Sequence, residues 1–100
     1  MPLTQQQRSH LQSVYAGRHQ VFLARRHPAT YASMEKNGGL EPYLQTVGEQ
    51  AANAYEVMED QMIATAKQIE DPVAQARYRN TIPLTVEEII DADFVFAPLS

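Results

Sequence analysis

A chain of 100 residues, 44% of them apolar, suffices for a single domain spanning residues 1–100 and is too apolar to stay disordered. It contains no cysteine, which excludes a disulfide scaffold, a thiolate nucleophile and Cys-ligated zinc, and a reducing cytoplasm is the expected compartment. The net charge of −4 is unevenly spread: residues 1–34 hold Arg8, Arg18, Arg25 and Arg26, the three histidines and no acid, while residues 35–100 hold all twelve acids at a balance of −8. Halves of opposite sign bind outside partners or face one another, within the fold or across a dimer, and in so small a chain internal pairing is the first expectation. Apolar runs such as Phe94-Val95-Phe96-Ala97 are too short to cross a bilayer, and the start Met1-Pro2-Leu3-Thr4 has no signal-peptide character.

Thr4 is a good N-cap for a first helix that runs to about Arg26, with Leu11, Val14, Tyr15, Val21 and Phe22 returning to one face. Gly17 permits a bend in it, and Arg25 and Arg26 suit the negative end of its dipole. His27-Pro28 ends this helix, and Pro28 opens a short second one that stops at Asn37-Gly38-Gly39. The third segment carries the clearest pattern. Leu40, Leu44, Val47, Ala51, Ala54, Met58, Met62, Ala66 and Ile69 keep a three-or-four spacing with no proline between Pro42 and Pro72. That predicts an unbroken helix of ~45 Å, longer than a thin core covers evenly, and hence an all-α bundle built on one central helix and shared between two subunits. Asp71-Pro72 opens a fourth helix, which Pro83 is expected to interrupt. Thr85-Val86-Glu87-Glu88 then reads as a capping box for a last helix reaching about Asp93, after which Phe94 to Pro98 docks in extended form or offers an apolar partner surface.

The sequence carries few chemical motifs. No metalloprotease, phosphate-loop or dinucleotide motif occurs, and Ser9, Ser13 and Ser33 lack a nucleophile-elbow context, so the chain is not expected to be an enzyme or to hold a cofactor. His10, His19 and His27 fall on different sides of one helix, which favours structural or surface roles over metal binding. Glu87 and Asp91 share a face that suits a hard cation, although no second acidic helix is evidently aimed at it. The five tyrosines read as core edges in preference to a stacking platform. Gly48 as the turn of a helix-turn-helix is opposed by the continuous stripe around it.

Three stretches carry a family resemblance. They are Val21-Phe22-Leu23-Ala24-Arg25-Arg26-His27-Pro28-Ala29-Thr30-Tyr31 with Gly39-Leu40-Glu41-Pro42-Tyr43-Leu44, the run from Ala51 to Met62, and Glu87-Glu88-Ile89-Ile90. Together they resemble the transposon-encoded family called TnpV. The resemblance implies a small cytoplasmic helical protein carried on bacterial mobile elements and implies no catalytic residues. Between Asp71 and Thr85, where that family continues helically, Pro72 and Pro83 are expected to break this chain.

The leading expectation is a non-enzymatic accessory protein of a mobile element, acting through protein–protein contacts as a homodimer or with another partner. Its interface would draw on Leu40, Leu44, Val47, Ala51, Met58, Met62, Phe94 and Phe96. A second reading is DNA binding in excision or regulation through Arg8, Arg18, Arg25 and Arg26. A third is an acidic decoy for a host nucleic-acid-binding enzyme, using Glu49, Glu56, Glu59 and Asp60.

Overall fold

Local capping chemistry sets most helix ends in the computed structural model, which describes residues 3–96. Among the described residues four α-helices follow one another: α1, Gln5–Arg26; α2, Pro28–Asn37; α3, Leu40–Lys67; and α4, Pro72–Ile90; a π-helical turn, Asp91–Val95, follows α4. Among the described residues there is no strand, so the expected all-α bundle is the fold. Thr4 and Gln7 form a reciprocal box, in which the Thr4 hydroxyl accepts from Gln7 N–H at 3.1 Å and the Gln7 side chain accepts from Thr4 N–H at 2.9 Å. His27 leaves the helical region before Pro28, and α2 ends on Gly38 at φ +79°, a conformation that only glycine adopts freely. The Asp71 carboxylate accepts from Ala74 N–H at 3.1 Å to start α4. Gln75 reaches back to donate to the carbonyls of Ala66 and Ile69, tying the start of α4 to the end of α3.

The central helix is unbroken through Gly48, as its stripe predicted. α1 lies antiparallel along its first half, placing Arg8 by Asn53 and Glu56, Gln12 by Gly48, and His19 by Tyr43. α4 packs along its second half and returns toward the middle of α1, so the molecule is staggered and long, 55 × 26 × 17 Å. The stripe is therefore covered by two helices in succession. Leu40, Leu44, Val47, Ala51 and Ala66 are buried, whereas Ala54, Met58, Met62 and Ile69 are half-buried. One contiguous core joins Tyr15 of α1, Ala51 and Ala66 of α3, Ile82, Val86 and Ile90 of α4, and Val95. Where α1 crosses α3, a Cβ built on Gly48 would stand 2.5 Å from the Gln12 carbonyl oxygen; glycine is what permits this approach.

The C-terminal third departs from the sequence expectations. Pro83 does not interrupt α4, and the departure expected between Asp71 and Thr85 is a continuous helix instead. Ile82, Val86 and Ile90 recur at i, i+4 and i+8 and are 4%, 0% and 0% exposed, so core contacts hold the helix on both sides of the proline. Burying each such side chain contributes roughly 1.5–3 kcal/mol, together more than the ~3 kcal/mol cost of an internal proline. Thr85 accordingly lies inside α4 and caps nothing. Phe94 and Val95 are not extended: they belong to the π-turn, which the 2.8 Å bond from Phe96 N–H to the Asp91 carbonyl closes. Ala97 and Pro98 lie outside the described residues.

Candidate interaction surface

Two of the four N-terminal arginines are engaged inside the fold. Arg8, on the first turns of α1, donates to Asn53 and to the Glu56 carboxylate, whose other oxygen accepts from Leu3 N–H at 3.3 Å. Arg18 donates to both Asp91 oxygens, at 2.9 and 3.1 Å, and to Glu87 at 2.7 Å. Its guanidinium also stands 5.3 Å from the centre of the Tyr15 ring. Hydrogen bonding to Glu87 and Asp91 raises the Arg18 pKa against the opposing effect of burial. The carboxylates of Glu87 and Asp91 do share a face, and the cation between them is this guanidinium. The opposite-signed halves of the sequence thus meet across the α1–α4 boundary.

His19, next along α1, is 2% exposed and ties three elements together. Its Nδ1 lies 2.8 Å from the Val95 carbonyl and its Nε2 2.7 Å from the Tyr43 hydroxyl. A carbonyl only accepts, so Nδ1 carries the proton and donates; in the neutral ring Nε2 then accepts from Tyr43 O–H. This arrangement anchors the π-turn on α1 and α3. Nothing in the sequence pattern marks the pairing, because Val95 lies 76 residues from His19. Below it, burial pushes the Tyr15 hydroxyl up to about 12, with the Asp91 charge adding to the shift and Arg18 opposing it.

The anchored turn presents Phe96 beside the C-terminal end of α1. Phe96 and Phe22 meet edge to face at 5.8 Å, and His27 packs on Phe22 at 5.6 Å. These rings and Val21 floor an open groove of about 820 Å³, edged by Arg18, Arg25 and Arg26. Phe96 is 56% and Val21 51% exposed. Arg25 and Arg26 are exposed and, among the described residues, have no acidic partner. Arginines that the sequence grouped as possible nucleic-acid contacts are thus separated: Arg8 and Arg18 are tied to carboxylates, Arg25 and Arg26 are not.

The suggested interface residues divide in the same way. Leu40, Leu44, Val47 and Ala51 are buried within the chain; Met58, Met62 and Phe94 are half-buried against the core; Phe96 is exposed. Of the acids on α3, Glu49 is exposed, Glu56 is held by Arg8, and Glu59 is partly buried with its pKa raised, first by burial and then by the neighbouring Asp60 charge. His10 is exposed and lines a second groove with Leu3, Leu11, Tyr55, Glu59 and Ile63. Among the described residues no three His, Asp or Glu side chains are gathered as a metal site requires, and no helix is long and apolar enough to cross a membrane.

No curated protein and no solved structure matches this chain. A family model does, that of the transposon-encoded protein TnpV, and it spans residues 1–95, taking in α1 to α4, the histidine-anchored turn and most of the arginine-edged groove. The chain belongs to the TnpV family of transposon-encoded proteins.

Proposed function

We propose that this chain is a non-enzymatic accessory protein of a bacterial transposon, acting in the cytoplasm through protein–protein contacts as a homodimer or with another protein. The supporting observation is the groove at the C-terminal end of α1, where exposed Val21 and Phe96 stand beside two arginines that the fold does not use. Exposed apolar side chains flanked by unpaired cations gain little in an isolated molecule and suit a protein interface. Two measurements test the reading. Sedimentation at high concentration separates dimer from monomer, and a clean monomer removes the homodimer. Co-purification against each protein encoded by the same transposon covers other partners. Capture of none, with a clean monomer, removes the proposal.

A second reading, DNA binding, draws on the same Arg25 and Arg26. Two phosphate contacts predict a slope of log affinity on log salt of roughly −1.8 in a duplex titration. A flat response, or no binding at low salt, removes it. The decoy reading is weaker by one carboxylate, since Arg8 neutralises Glu56.

A further inference from the structure

We infer that the groove at the end of α1 receives an acidic, apolar-anchored peptide segment of the partner protein, with its carboxylates on Arg25 and Arg26 and its apolar side chain against Phe22 and Phe96. This rests on the protein–protein reading above and names the chemistry of its partner.

Charge carries the argument first. Among the described residues, the side chains lining the groove are Arg18, Arg25, Arg26, His27 and apolar groups, with no acid. The carboxylates of Glu87 on α4 and Asp91 on the π-turn are both held by Arg18, whose one positive charge offsets one of their two negative charges, so neither occupies Arg25 or Arg26. Arg25 and Arg26 stand on successive positions of the last turn of α1, and each guanidinium can take a carboxylate in two parallel hydrogen bonds. The floor carries the second part. Val21, Phe22 and Phe96 supply an open apolar surface, and Phe96 is held there by the π-turn that His19 anchors, so little ordering is required on binding. A groove of about 820 Å³ that is open along its length suits an extended or helical segment better than an enclosed small molecule.

Overall charge decides between a peptide and a nucleic acid. The protein is −4 overall, and its acids lie in residues 35–100, of which α3 and the π-turn pack directly on α1. A long polyanion would meet two free arginines and then a repelling surface, whereas a short acidic segment meets the arginines alone.

Selection of a displayed random-peptide library on the full chain tests this directly. The expected enriched sequences place Asp or Glu next to an aromatic or aliphatic residue. A resynthesised winner should lose about tenfold or more in affinity on the double variant Arg25→Glu, Arg26→Glu, and similarly on Phe96→Ser, while Arg77→Glu on exposed α4 changes nothing. Phe96→Ser alters an exposed side chain, and circular dichroism verifies that each variant keeps its helices. Enrichment of basic sequences, no enrichment, or affinity unchanged by the charge reversal overturns the inference, as does displacement of the peptide by a single-stranded oligonucleotide at lower concentration. Co-purification separates the two levels. An element protein captured equally by wild type and the double variant leaves the protein–protein reading standing and removes this groove as the site.

Discussion

Replacing Gly48 with alanine adds one methyl group at the point where α1 crosses α3, and its consequence can be worked from the geometry. The new Cβ would stand 2.5 Å from the Gln12 carbonyl oxygen and 3.2 Å from its carbon, against backbone that no rotamer change can move. α1 must shift outward by roughly 0.9 Å to restore ordinary contact, in a core packed at crystal density. Overpacking of this kind costs about 1–3 kcal/mol, and alanine's better helix propensity returns about 1, so a net loss of up to about 2 kcal/mol is expected. Gly17 supplies the control. It lies within α1, and a Cβ there meets nothing within 4 Å, so Gly17→Ala should gain about 1 kcal/mol. The same substitution at two helical glycines thus has opposite signs. Urea unfolding followed by far-UV circular dichroism measures both, provided the slopes stay equal. If Gly48→Ala gains as much stability as Gly17→Ala, α1 does not cross α3 at Gly48.

Four further outcomes are expected. Pro83→Ala should stabilise the chain by roughly 1–3 kcal/mol, since it removes a proline from the interior of α4, partly offset by a looser unfolded chain; thermal melts show it. Arg18→Gln should cost about 1 kcal/mol, the scale of a half-exposed ion-pair network, and most of that difference should vanish in about 1 M salt. His19→Leu leaves the Val95 carbonyl and the Tyr43 hydroxyl without their partner and should cost about 1–3 kcal/mol, with faster amide exchange in the π-turn as its signature. Glu59 has a raised folded-state pKa, so as pH rises the unfolded chain releases this proton first and stability falls through the folded-state value. Glu59→Gln should therefore be more stable than wild type near neutral pH, and the difference should close below about pH 4, as urea midpoints at the two conditions will show.

The helix ends and the rod were legible because their causes are local. Thr4, Pro28, Gly38 and Asp71 act within one turn of themselves, and the spacing from Leu40 to Ile69 states which edge of α3 is covered. The site was legible only in its parts. Arg25, Arg26 and Phe96 each stood out, as a cation pair and an apolar tail, but 70 positions separate Arg26 from Phe96 and no periodicity joins them.

Local chemistry misled at Pro83 and Thr85, where a sound proline break and a sound capping box give way to a continuous helix. Burial of Ile82, Val86 and Ile90 outweighs both, and that burial exists only once α3 and α1 are in place. The amino-acid order alone thus determined where most helices begin, which face of α3 is apolar and that the charge is split. Tertiary structure decided which cover the rod receives, which arginines are consumed by carboxylates and where Phe96 comes to rest. The division follows from range: capping and periodicity act over a few residues, whereas ion pairs, a glycine crossing and a buried histidine bridge depend on segments 24 to 76 residues apart.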